Sequence, residues 1–74
     1  MKNIDVIKTK NLHSLNGVYL KNYNTIIAVN RGDVVYVNNN RYSVTTTKNQ
    51  NLVCREAEKL GLKIRTTAKI EEVM

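Results

Sequence analysis

The sequence predicts a small α+β domain spanning residues 1–74 as one unit: an antiparallel β-meander, one amphipathic helix and a C-terminal strand. Three observations predict it. Between residues 17 and 44, short runs of β-branched and aromatic residues alternate with breaks rich in Asn and Gly, as in strands joined by tight turns. From Thr47 the apolar period becomes helical and stops at Gly61. From Leu62 to Ile70 the period returns to two.

Ile4 to Lys8 reads as a short first strand, and residues 9–16 as a connection with a helical turn. Gly17 to Leu20 and Thr25 to Val29 flank the polar break Lys21 to Asn24. Asn30 to Asp33 separates Val29 from Val34 to Val37, and Asn38 to Asn40 separates that run from Arg41 to Val44. Gly and Asn suit these breaks because they accept the positive φ of tight hairpins. A meander of three or four strands follows. Thr47 and Gln50 have capping-box spacing, so the helix is expected over 48–60, with Val53, Ala57 and Leu60 on its inner side and Leu52 beside them. Gly61 is the expected C′ residue and Leu62 the closing hydrophobic contact. In the last strand Leu62, Ile64, Thr66, Ala68 and Ile70 alternate with Lys63, Arg65, Thr67 and Lys69, giving one apolar and one basic face.

Turn lengths set which residues share a face of the sheet. A two-residue loop at Asn38-Asn39 sets Val35 opposite Tyr42 and Tyr36 opposite Arg41. A two-residue loop at Arg31-Gly32 sets Ala28 opposite Val35, Ile26 opposite Val37 and Ile27 opposite Tyr36. One face then carries Ile26, Ala28, Val35, Val37, Tyr42 and Val44 beneath the helix. The other carries Ile27, Val29, Val34 and Tyr36, with Arg41 and Ser43 at its edge. A three-residue loop in either hairpin would exchange the faces on one side of it. The second face is too apolar for simple exposure, because a sheet wet on one side alternates apolar with polar residues. It is expected to be covered by the N-terminal strand in a rolled, SH3-like barrel, by a second copy in a homodimer, or by a target.

Composition excludes several classes of function. The longest apolar runs, Ile26 to Val29 and Val34 to Val37, fall far short of the roughly 20 residues needed to span a bilayer. The opening residues Met1 to Asp5 hold no apolar segment, so a signal peptide is not expected. A lone Cys54 cannot form an internal disulfide and fits a reducing cytoplasm. With only His13 and Cys54 as soft ligands, and scattered acids, no metal site or other cofactor site is expected. Gly17, Gly32 and Gly61 are too dispersed for a phosphate loop. No catalytic residue is assigned, and the chain is not expected to be an enzyme.

The remaining motifs have plain structural readings. Arg31-Gly32-Asp33 is an integrin-type tripeptide, but it stands where a hairpin turn is required. His13 lies in a polar connection with no nucleophile or carboxylate at a readable spacing. Cys54 reads as a semi-buried hydrophobe, and Glu56 as a structural partner for a cation of the last strand.

Basic residues carry the strongest functional suggestion. Twelve Lys and Arg against six Asp and Glu give a net charge of +6, spread along the chain. Lys63, Arg65 and Lys69 would stand about 6.5–7 Å apart per two-residue step, comparable with phosphate spacing along a nucleic-acid strand. Arg31 and Arg41 beside Tyr36 offer a second basic-aromatic surface on which a base could stack. Charged strand faces are also ordinary solvated surfaces that guard an edge.

Asn at eleven positions, with plentiful Lys, Ile and Thr, points to an AT-rich coding sequence. A short chain of this bias resembles the accessory proteins of bacteriophages and other mobile elements. The first functional expectation is a non-enzymatic nucleic-acid-binding module using Arg31, Tyr36, Arg41, Lys63, Arg65 and Lys69. The second is a protein inhibitor or adaptor of a host complex, anti-CRISPR-like, docking through Ile27, Val29, Val34 and Tyr36. Exposure of that patch would favour the second, and burial would weaken it.

Overall fold

The structure, a computed structural model, describes residues 1–40 and 43–74. Its strands are β1 (Lys2–Asn3), β2 (Tyr19–Asn22), β3 (Thr25–Asn30), β4 (Val34–Asn38) and β5 (Lys63–Thr67), with one α-helix, α1 (Val44–Lys59). The fold is α+β, a mixed five-stranded sheet in the order β1-β2-β3-β4-β5 with a helix packed on it. β2, β3 and β4 form the expected antiparallel meander. The outer pairs, β1 with β2 and β4 with β5, are parallel. β1 and β5 are the two edges and do not pair, so the sheet stays open and does not roll into an SH3-like barrel.

The N-terminal strand expected over Ile4 to Lys8 is a 3₁₀ helix instead. Asn3 accepts the Asp5 N–H at 2.9 Å, and Ile4 and Ile7, three residues apart, are both buried. Three is the 3₁₀ period, whereas a strand would have paired Ile4 with Val6. A second 3₁₀ helix, Leu12–Leu15, repeats the design: Asn11 accepts from the Ser14 N–H at 3.1 Å, and Leu12 and Leu15 are buried. Both segments pack on the helix face, where Ile4, Ile7, Leu12 and Leu15 join Leu20, Val35, Val37, Val53 and Ala57 in one core.

Of the fourth meander strand expected over Arg41 to Val44, the described part, Ser43 and Val44, belongs to the start of α1: Ser43 caps the helix and Val44 begins it. Arg41 and Tyr42 lie outside the described residues. The neighbour of β4 is β5, reached through α1 because parallel strands need a crossover connection. The helix starts earlier than the Thr47 cap implied. The Ser43 hydroxyl accepts from the Thr46 N–H at 3.2 Å, while Gln50 is buried and donates to the carbonyls of Asn38 and Asn40. An amide spent on β4 cannot close a capping box. The C-terminus is as expected: Gly61 has φ +70, its N–H donates to Glu58 O at 3.1 Å, and the Leu62 N–H donates to Ala57 O at 3.0 Å. Those two bonds make a Schellman motif.

Strand register departs from expectation in two ways. The β3–β4 turn is Gly32-Asp33, closed by Arg31 N–H to Val34 O at 2.9 Å, so Ala28 faces Val37 and Val29 faces Tyr36. A shift of two residues leaves every side chain on its expected face. The second departure does not. Between Leu20–Ala28 and Lys21–Ile26 the β2–β3 ladder slips by one, leaving Ile27 as the extra residue of a bulge. Ile27 thereby enters the helix-face core with Val53 and Ala57, and Ile26 takes its place on the second face.

Side-chain amides finish the strands. β2, β3 and β4 each end in a buried Asn, at Asn22, Asn30 and Asn38. Asn22 donates to the Thr46 hydroxyl at 3.0 Å, Asn30 to Leu12 O at 2.6 Å and Asn38 to Ile26 O at 2.9 Å. Among the described residues no buried side-chain polar atom lacks a partner.

Candidate nucleic-acid interface

The second face of the sheet is built around β3. Val29 is fully buried between Tyr19 on β2 and Tyr36 on β4, its register partners on either side. Tyr36 is in turn paired with Arg65 on β5, and Val34 with Lys63. Tyr19, Val29, Tyr36 and Arg65 therefore form one row across four strands. The next row toward the β3–β4 turn is Arg31, Val34 and Lys63. Lys63, Arg65 and Arg31 are exposed, and Tyr19, Tyr36 and Val34 are half-buried.

The other end of this face is closed by the C-terminal 3₁₀ helix, Ile70–Val73, which packs on β3 and β4 with Ile70 buried. That segment, and not an N-terminal strand, is the cover. It brings two acids, Glu71 and Glu72, to this end. Lys69 does not continue the stripe of β5: the strand ends at Thr67, and the Lys69 ammonium lies 3.9 Å from Glu72 Oε1. Among the described residues Arg31, Lys63 and Arg65 make no ion pair. The turn end thus carries net positive charge, with Arg31, Lys63 and Arg65 against Asp33, whereas at the other end Glu71 and Glu72 are offset by Lys21 and Lys69.

Of the expected nucleic-acid residues, Tyr36, Lys63 and Arg65 come together, with Arg31 at the same end. Lys69 is drawn away, and Arg41 lies outside the described residues. Tyr19 was not anticipated. A ladder run straight back from the Asn22–Thr25 closure would set it opposite Ala28 on the helix face; the bulge sets it opposite Val29. Of the expected protein-docking patch, Ile27 and Val29 are fully buried within the chain, leaving Val34 and Tyr36 partly accessible. Glu56 pairs with Lys59 on its own helix, at 3.5 Å, and not with a cation of β5.

The helix side holds a cleft of about 600 Å³ lined by the Asn38 to Asn40 segment, Thr47, Gln50 and Cys54. Its two buried polar side chains are already engaged, Gln50 by the Asn38 and Asn40 carbonyls and Asn38 by Ile26 O. Burial, and next the Glu58 carboxylate, push the Cys54 thiol above its ordinary value near 9.0, so it stays protonated at neutral pH. A protonated thiol is a weak nucleophile. Among the described residues no three His, Cys, Asp or Glu side chains gather as metal ligands, and no helix is long and apolar enough to cross a membrane.

No curated protein and no solved structure matches the chain. A family model does match it, over residues 1–70, and the chain belongs to that family, described as a family of unknown function (DUF8033).

Proposed function

We propose that this chain is a small non-enzymatic nucleic-acid-binding module, of the accessory kind its composition resembles. The observation that carries the proposal is the register that sets Tyr36 beside Arg65 and Val34 beside Lys63 on the uncovered half of the second face. Arg31, Lys63 and Arg65 have no acidic partner among the described residues and are free to meet phosphates. Tyr36 supplies a ring on which a base can stack. The net charge of +6 adds long-range attraction to the same polyanion.

The test is fluorescence polarisation of labelled single-stranded DNA, duplex DNA and RNA against the protein at about 50 and 200 mM salt. Three phosphate contacts on a single strand give a slope near −2 in log affinity against log salt, so affinity should fall about 20-fold over that range. Charge reversal at Lys63 and Arg65 should abolish binding, while reversal at Lys69 should cost much less. Absence of binding to every nucleic acid at the lower salt would overturn the proposal.

A further inference from the structure

We infer that the open face accepts an unpaired strand that crosses the sheet, with two bases stacked on Tyr19 and Tyr36 and its phosphates held from the turn end by Arg31, Lys63 and Arg65. The inference rests on the nucleic-acid reading above and specifies its substrate class.

Three features select a single strand. The first is the tyrosine pair. Tyr19 and Tyr36 sit two strands apart in one row, about 10 Å at the backbone, over the buried methyl groups of Val29. A base inside a duplex is stacked on both sides and offers neither ring a free face. A splayed base offers one. The second is the position of the helix. Reading a duplex by its major groove calls for a protruding helix or ribbon. α1 packs on the opposite side, in the core with Ala28, Val35 and Val37, so among the described residues this face offers no α-helix to insert, only the four-residue 3₁₀ segment Ile70–Val73. The third is charge polarity. Arg31, Lys63 and Arg65 outnumber the single Asp33 at the turn end, whereas Glu71 and Glu72 merely offset Lys21 and Lys69 at the other. The attractive track therefore runs across the strands, from Arg65 through Tyr36 to Tyr19. Three strand spacings, about 14 Å, hold only a few nucleotides.

The experiment compares an oligothymidylate of about twelve nucleotides, within the range of known single-strand site sizes, with a duplex of equal length at low salt. Wild-type protein should bind the single strand at least about tenfold more tightly, given that the stacking terms are absent for a duplex. The chain has four Tyr and no Trp, so quenching of its tyrosine emission on binding reports stacking without any substitution. Tyr19→Leu and Tyr36→Leu should each weaken single-strand binding by about 5- to 100-fold, and Tyr→Phe at either position by less than about threefold. Unchanged far-ultraviolet circular dichroism identifies variants that still fold. Equal affinity for duplex, no quenching and no effect of the Leu variants, with binding still lost on charge reversal at Lys63 and Arg65, would overturn the single-strand inference and leave the nucleic-acid reading standing. No binding to either oligonucleotide would overturn both.

Discussion

Asn30 is the residue on which the packing of the N-terminal segment turns. It is 1% exposed; its amide nitrogen donates to Leu12 O at 2.6 Å and its oxygen accepts from the Gly32 N–H at 2.9 Å. One side chain thus fastens the second 3₁₀ helix to the β3–β4 turn. Asn30→Ala removes both bonds and strands a carbonyl and an N–H away from water. At about 1–3 kcal/mol for each unsatisfied group, with partial relaxation at the less buried Gly32, the loss should be about 2–4 kcal/mol. A domain of this length has about 4–11 kcal/mol in total. With a urea m-value near 1 kcal/mol/M, the unfolding midpoint should drop by about 2–4 M. Asn30→Asp separates the two bonds. Its carboxylate keeps the acceptor but turns a second oxygen on the Leu12 carbonyl, so the folded state favours the protonated acid and raises its pKa. The stabilisation from protonation is present at low pH and lost as pH rises through the folded value. Relative to wild type, Asn30→Asp should therefore recover stability on acidification, whereas Asn30→Ala should not. A loss below about 0.5 kcal/mol for Asn30→Ala, or identical pH dependence of the two variants, would refute this reasoning.

Further substitutions probe the turns and the thiol. Tyr23 holds φ +56 at the β2–β3 turn and is 76% exposed, so Tyr23→Gly should relieve about 1 kcal/mol and raise the thermal midpoint by about 4–8 °C. An unchanged or lower midpoint would show that the exposed ring contributes more than the backbone costs. Gly32 has φ +97, and a Cβ there would stand 2.8 Å from Asn16 Oδ1, so Gly32→Ala should cost about 1–3 kcal/mol by denaturant titration. Full stability would mean that the Asn16 side chain swings clear and the turn rearranges. Because burial and Glu58 raise the Cys54 pKa, iodoacetamide should alkylate the native protein near pH 8 more slowly than the urea-unfolded chain, and Glu58→Gln should speed the native reaction. By linkage, the stabilisation from keeping that thiol protonated is lost as pH rises through the folded pKa. Equal alkylation rates in the two states would contradict the assigned burial.

Elements with local signals were legible in the sequence. The Gly61 terminus, the meander spanning β2 to β4 and the period-two start of β5 all follow from neighbours within a few residues. The misread elements depended on partners distant in the chain. Thr47 and Gln50 have capping-box spacing, yet Gln50 is drawn to β4 by carbonyls that no local pattern reveals. Ile4 to Lys8 has strand composition, but the Asn3 cap and the Ile4/Ile7 spacing favour a 3₁₀ turn once Leu20 and Val53 are there to bury them. The bulge at Ile27 had the widest effect. It moved Ile27 out of the expected docking patch and aligned Tyr19 with Val29, and neither change has a Gly or Pro to announce it. The alternation of Lys63 and Arg65 on β5 was legible, because it persists while the strand does. Lys69 was lost when the chain turned into its final 3₁₀ helix.

An asparagine-rich chain is also a chain exposed to chemical ageing, and the fold bears on where that begins. Asn16-Gly17 is the dipeptide in which a side-chain amide is most readily attacked by the following backbone nitrogen, closing to a succinimide and opening to an aspartate or isoaspartate. Here that nitrogen is occupied: the Gly17 N–H donates to Asn30 O at 2.7 Å. Ring closure must first break this bond, so deamidation at Asn16 depends on local opening of the segment that Asn30 secures. The isoaspartate content of a stored sample therefore becomes a slow clock of how often that segment lifts from the sheet.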